Sequence, residues 1–498
     1  MSSGAITRRQ ALAGLAGCGL ALLALDACGS QEGSSGSTLH RTWRDPGGTG
    51  VLRPGAGVAP IDRTDLAPRA APTAELGTIA HVTDAHVLDA ESPARVPFLA
   101  RLGAPFTSTF RPQETLTAQV LSGAVRAIDA LAPDAVIQGG DLIDNAQHNE
   151  LVRALAAIRG GTVDPNSGGP GYYGVQWAGD PDPFYYRPDV DAPRHPGMLA
   201  AATTPFRAPG LARVPWYPVL GDHDLLVQGV LVPTPLTDAI ALGDRAVWEL
   251  PASLRAPVGA AAAAPDGFAQ AAPIQALIAQ LSDAPTVAVP ADPARRELSA
   301  AETLAQLRAA SGAPASGGAL LDYSVDVGEH LRVIVLDLVR REGGSGGLVH
   351  PGQPQWLARE LARAGNRWVL VFSHQPLTSS AGGQQLLGVL DEHPRTLAAV
   401  WGHTHRNRIV PRPGRHGGYW LIGTASLVDY PQQARALQVL ATAGGGVALR
   451  TWLLDHVGEL GDISRELAYL DAQGGRPQGL AGGRLDGNVT LYRGAAAR

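Results

Sequence analysis

Seven apolar, β-rich runs recur along the chain: LGTIAHVTDAH (76–86), DAVIQGGDLID (134–144), VPWYPVLGDHD (214–224), LRVIVLDLV (331–339), RWVLVFSHQP (367–376), TLAAVWGHTH (396–405) and YWLIGTASLV (419–428). Unbroken apolar runs of this length read as strands covered on both faces. Helical spacing separates several of them, over 114–132 and over 354–364, the latter with Pro354 near its start, where a helix accepts proline. The pattern predicts a layered α/β architecture with functional residues at strand ends. Residues 435–455 read as a closing hairpin turning at Gly444-Gly445-Gly446. Two stretches interrupt the alternation. Residues 160–213 are aromatic and rich in Pro and Gly, and residues 225–320 are rich in Ala and partly helical. Both read as insertions, the first a candidate wall of a substrate cleft.

Five of the runs deliver ligating side chains where they end: Asp84-Ala-His86, Gly-Gly-Asp141-Leu-Ile-Asp144, Gly-Asp222-His223-Asp224, Ser373-His374 and Gly402-His403-Thr-His405. In an extended segment alternate side chains share a side, so His403 and His405 can face one point. Several of these ends carry glycine, where backbone and ligand can approach closely. Oxygen and imidazole donors without a thiolate suit Mn, Fe or Zn, and a carboxylate shared by two ions holds them about 3.5–4 Å apart. Such a pair acidifies a bridging water, supplying hydroxide at neutral pH, and clamps the oxygens of a phosphoryl group.

The remaining composition narrows the class. The 498 residues carry a formal charge of −5 with 45% hydrophobic and 17% charged residues, which describes a globular protein and gives a nucleic-acid groove no support. Every basic residue is arginine. The only cysteines, Cys18 and Cys28, lie in the leader ITRRQALAGLAGCGLALLALDACGS, so the body has neither a disulfide nor a cysteine ligand. Arg8-Arg9 ahead of the apolar run Ala11 to Leu25 fits a twin-arginine export signal over 1–28. Cys28 follows small residues and opens a Gly/Ser stretch suited to a tether, which admits lipid anchoring at Cys28 beside plain cleavage; Asp26 departs from the usual lipoprotein box. Residues 29–72 are expected as tether and loop, and 456–498 as a tail with one short helix before a Gly-rich loop.

The series DAH, GGDLID, GDHD, SH and GHTH resembles the calcineurin-like metallophosphoesterase superfamily, and the leader, with DPNSGGPGYYGVQW and PWYPVLGDHDLLVQG, resembles its exported bacterial branch. The resemblance implies a four-layer αββα sandwich over 73–455 and a binuclear centre for phosphoric ester hydrolysis. It places Asp84, His86, Asp141 and His405 around one divalent ion, and Asp141 with Asp222, His374 and His403 around a second. His223 would act near the leaving group, oriented by Asp144. Wedged between two carboxylates, His223 is also expected on physical grounds to have a raised pKa. Position 222 holds Asp where the family usually has Asn. The added charge should grip the ions more tightly, lower their Lewis acidity and repel an anionic substrate. Purple acid phosphatases resemble the pattern but carry Tyr three residues after the bridging Asp; here that residue is Asp144, which favours redox-neutral Mn²⁺, Zn²⁺ or Fe²⁺.

The expected substrate is a small phosphoester, with monoester and diester both open. The alternative is a weakly active or inactive metal-binding or ligand-binding protein on the same fold. Asp89, Asp337 and Asp429 read as solvated or structural. Arg406, directly after GHTH, is the nearest further residue that could meet a phosphate.

Overall fold

The computed structural model describes residues 36–103, 106–249, 284–314, 318–475 and 480–495; the leader and residues 250–283 of the second insertion lie outside them. Two mixed sheets form the frame. The first begins with β1 (Ile61–Arg63), β2 (Pro72–Val82), β3 (Ala135–Gln138) and β4 (Trp216–Pro218). The second holds β5 (Tyr323–Val327), β6 (Leu331–Leu336), β7 (Trp368–Ser373), β8 (Thr396–Trp401), β9 (Arg408–Arg412) and β10 (Tyr419–Gly423). The chain then returns to the first sheet as β11 (Gln433–Thr442), β12 (Val447–Asp455) and β13 (Val489–Arg493). Their spatial orders are β1-β13-β12-β11-β2-β3-β4 and β5-β6-β7-β8-β10-β9. The strands β2, β3 and β4 run parallel, as do β6, β7, β8 and β10.

Why the sheets lie face to face follows from the strand sequences. The strands β3, β7, β8 and β10 are buried along their whole length, as continuous apolar runs require. Ile79, Leu437 and Leu449 of the first sheet share one core with Val333, Phe372, Val400 and Ile422 of the second. His81 lies against Phe372 across this core, ring centroids 5.4 Å apart. Helices close the outer faces. On the first sheet, α1 (Thr117–Leu131) and α2 (His148–Arg159) bury Leu121, Val125, Ile128, Leu151 and Ile158. On the second, α3 (Gln353–Arg363) and α4 (Gly383–Asp391) place Leu357, Leu361, Leu386 and Leu390 against Ile334, Val369, Val371 and Ala399. The result is the expected αββα sandwich, with the hairpin β11–β12 antiparallel around Gly444 and Gly445.

The two ends of the described chain differ from expectation. After α5 (Glu459–Gln473), residues 489–493 form β13, antiparallel to β12 and parallel to β1. The segments read as tail and tether thus complete one edge of the first sheet. Burial holds this edge in place: Val489 and Leu491 are fully buried, Tyr492 nearly so, and the Arg63 guanidinium donates to the Ile409 carbonyl at 2.8 Å. Farther out, Arg41–Arg44 pairs with Arg53–Ala56. The first insertion carries a two-stranded ribbon, Gly161–Val163 with Phe206–Ala208, and the second the capped helices Pro235–Leu242 and Ala300–Ala310. No described helix is long and apolar enough to cross a membrane.

Candidate metal centre

The parallel strands of both sheets end at the same place, and their turns supply the polar residues. Asp84 and His86 follow β2, Asp141 and Asp144 follow β3, Asp222 and His223 follow β4, His374 follows β7, and His403 and His405 follow β8. Their backbones leave the extended state abruptly. Asp84, His86, Asp141, His403 and His405 have φ of 53°, 43°, 48°, 58° and 53°. Left-handed backbone is uncommon outside glycine, and its clustering in one spot marks a place where geometry is held against local preference. Glycines make the close approach possible. A Cβ on Gly140 would collide with the His374 imidazole, one on Gly221 with the Asp141 carboxylate, and one on Gly402 with Thr83 and Asp84.

Seven side chains from the five turns gather into two overlapping groups. Asp84, His86, Asp141 and His405 offer donor atoms within 4.8 Å of one another, and so do Asp141, Asp222, His374 and His403. Asp141 belongs to both. In the first group His405 Nε2 lies 3.2 Å from Asp84 Oδ1, His86 Nε2 lies 3.6 Å from Asp141 Oδ2, and the two Nε2 atoms face each other at 3.3 Å. In the second, His374 Nε2 lies 3.0 Å from Asp141 Oδ2 and 3.3 Å from Asp222 Oδ1, while His403 Nδ1 lies 3.2 Å from Asp222 Oδ1. His374 is fully buried, yet its Nε2 has hydrogen-bond geometry to none of these oxygens. A buried nitrogen aimed into a carboxylate cluster without a hydrogen bond fits a ligand, as do paired imidazole nitrogens pointing at one spot. The donor set therefore suits two divalent cations of the Mn, Fe or Zn type.

An outer ring fixes these donors. The Nδ1 atoms of His86, His405 and His374 meet Asp144 Oδ1 at 2.9 Å, Asp429 Oδ2 at 2.6 Å and the Gly139 carbonyl at 2.8 Å, which leaves each Nε2 facing inward. Thr83 Oγ1 donates to Asp84 Oδ2 at 2.6 Å, the His223 amide to Asp141 Oδ1 at 2.9 Å, and Gln375 Nε2 to Asp222 Oδ1 at 3.0 Å. Asp429, which the sequence alone leaves as solvated or structural, holds His405 and is itself gripped by Arg111, whose Nε lies 2.6 Å from its Oδ1. Neither residue belongs to a motif, so no short-range signal pointed to them.

His223 also differs in detail from expectation. Its Nδ1 meets the backbone carbonyl of Asp144 at 2.8 Å, with the Asp144 carboxylate farther off at 3.5 Å because that carboxylate is engaged by His86 and by Gln228 Nε2 at 3.1 Å. Asp224 faces away, accepting from the amides of Gly221, Leu142 and Ile143. Burial disfavours the His223 imidazolium, yet Asp141, Asp144 and Asp222 outweigh it and lift its pKa to about 10. The same contest between burial and the charges of Asp84 and Asp429 lifts His405 to about 9. For His86 burial prevails, helped by His223, and its pKa falls.

The centre opens into a cavity of about 330 Å³. Its walls come from Ala94, Val96, Leu99, residues 106–109 and Arg111, from 227–231 at the start of the second insertion, and from Ser345, Thr404, Asp429 and Leu480. None of the first insertion lines it, contrary to expectation. The 3₁₀ turns Pro97–Leu102 and Phe106–Thr109, with Ala94, Val96 and Arg111 beside them, take that place. Arg406 is exposed and does not border it.

No family model matches this chain. No curated protein matches it either. Among solved structures, a dimetal phosphatase from Danio rerio is similar at 14% identity and a TM-score of 0.39, over 77% of this chain and 97% of that one. A sulfate thiohydrolase, SoxB, from Termus thermophilus is similar at 14% identity and a TM-score of 0.29, over 82% and 61%. A putative 5'-nucleotidase from Staphylococcus aureus is similar at 14% identity and a TM-score of 0.20, over 30% and 33%.

Proposed function

We propose that this chain hydrolyses phosphoric esters with a binuclear metal centre, on the pattern of the calcineurin-like phosphoesterases. The observation that carries the reading is the sharing of Asp141 between two ligand groups that open into one cavity. Asp84, His86, Asp141 and His405 would hold one divalent ion, and Asp141, Asp222, His374 and His403 the other. When bound, the pair supplies an acidified water and Lewis-acid polarisation of the phosphoryl oxygens.

The chain's own residues supply the rest. Asp144 and Asp429 hold His86 and His405 in the tautomer that turns Nε2 inward. His223 lines the cavity, largely buried with its side chain 15% exposed, and its Nδ1 is tied to the Asp144 carbonyl. Its Nε2 is thereby left to donate a proton to the leaving alkoxide. Gln228, beside Asp144, steadies this arrangement. The leader supports an extracytoplasmic location reached by the twin-arginine route, with lipid anchoring at Cys28 as the membrane attachment.

The test is release of p-nitrophenol from p-nitrophenyl phosphate and bis-p-nitrophenyl phosphate by purified protein, with added Mn²⁺ and with EDTA. Metal-dependent hydrolysis of either supports the reading. Bound metal without turnover across a broad ester panel supports the binding protein instead.

A further inference from the structure

Resting on the hydrolase reading above, we propose that the substrate is a phosphodiester monoanion whose second substituent is short and apolar, rather than a phosphomonoester dianion. The first ground is charge. Asp84, Asp141 and Asp222 offset three of the four positive charges that two divalent ions would bring, so the ligand groups present a net +1 to an incoming anion. Two further buried carboxylates stand directly outside: Asp429 is paired with the Arg111 guanidinium, and Asp144 lies between the His86 and His223 imidazoles.

Arg111 is the single arginine among the described residues that line the cavity. Its Nε and Nη2 both reach Asp429, at 2.6 and 3.2 Å, and its Nη1 donates to the Ser108 carbonyl at 2.8 Å. A guanidinium so occupied has little left for a terminal phosphate. With no lysine anywhere in the chain and no other arginine among the described residues of the cavity, a second negative charge on the substrate would exceed the net +1 of the ligand groups.

The second ground is the wall. Beside the ligands the cavity is faced by Val96, Leu99, Phe106, Val227, Leu231 and Leu480. Leu99, Phe106, Val227 and Leu231 are 3%, 6%, 3% and 4% exposed, so this surface belongs to the packed body of the protein. An apolar wall next to a cluster of charges recognises a ligand with both characters. A volume of about 330 Å³ accommodates a phosphodiester with a short alkyl substituent. In the reaction the attacking water gives one proton to solvent and its oxygen bonds to phosphorus, the ester P–O bond breaks, and the leaving alkoxide takes a proton from His223, which is reprotonated from solvent, giving a monoester and an alcohol.

A series of p-nitrophenyl alkyl phosphates, methyl to pentyl, compared with p-nitrophenyl phosphate on the metal-loaded protein, tests this with one leaving group throughout. Every diester should exceed the monoester in kcat/KM, which should rise about fourfold per methylene until the cavity fills. Preference for the monoester, or a flat or falling series, overturns the inference while leaving the hydrolase reading intact. Phe106→Ser should flatten the rise at unchanged metal content; an unaltered slope would remove the wall from the argument. Titration calorimetry with dialkyl phosphinates, monoanions that have no ester bond, gives a readout apart from turnover. They should bind more tightly with each methylene and more tightly than dianionic alkylphosphonates of equal length, and the reverse order overturns the ligand class. No release from any ester would sink the hydrolase reading alone, and the phosphinates would still decide the ligand.

Discussion

At position 222 the chain carries a carboxylate where the family it resembles usually places an amide. The structure puts Asp222 Oδ1 within 3.3 Å of His374 Nε2 and 3.2 Å of His403 Nδ1, with Gln375 donating to the same oxygen. An amide oxygen could sit there equally well, so Asp222→Asn should keep the site while removing one negative charge. Turnover is expected to rise and metal retention to fall, each about tenfold, the scale of one charge-assisted contact near 1.4 kcal/mol. Indistinguishable kcat and metal content would discard the idea. Asp429 gives the complementary case. Asp429→Asn leaves His405 without its anionic partner and should lower metal affinity by about 10–100-fold, read by competition with a chelator. All seven candidate ligands were legible because each sits in a short motif after an apolar run. Asp429 and Arg111 were not, since they are lone residues 318 positions apart that meet only in the folded chain.

Among elements, the strand ends decide the geometry, and glycine decides whether they can meet. Gly402 lies against Thr83 and Asp84 across the two sheets, so Gly402→Ala must push β8 away from β2. A cost of about 1–3 kcal/mol is expected, together with loss of bound metal. Gly388 in α4 has open space around its missing Cβ, and Gly388→Ala should instead stabilise by about 0.5–1 kcal/mol with metal content unchanged. Denaturant titration of both variants checks the pair; equal effects would show that the crowding at Gly402 is of no consequence. Long apolar strands such as β7 and β8 were readable because burial on both faces leaves a continuous signature. The three-residue β1 and the Gly-flanked β13 were not, because pairing across 428 positions leaves no local trace; Val489 and Ile61 face each other only in the sheet. The wall of the cavity was misplaced for the same reason, since an irregular aromatic segment and an irregular 3₁₀ segment look alike until one packs beside the centre.

For the molecule as a whole, the centre couples folding to protons and metal in opposite senses. With folded-state pKa values of about 10 for His223 and about 9 for His405, both above the ordinary value near 6.5, the metal-free protein gains stability from their imidazolium forms. That gain is complete below pH 6.5 and disappears as pH rises toward 9 and 10. Metal binding needs neutral imidazoles and releases protons, so loading should strengthen over the same range. Melting temperatures measured from pH 6.5 to 9.5 should fall with EDTA, and the increment given by Mn²⁺ should grow. Parallel curves would contradict the coupling. Catalysis on this pattern requires two cations sharing Asp141. Anomalous diffraction from crystals grown with Mn²⁺ measures this directly: it should show two peaks about 3.5–4 Å apart, both beside the Asp141 carboxylate, one flanked by Asp84, His86 and His405 and the other by Asp222, His374 and His403. A single peak, or ions bound away from Asp141, would contradict it.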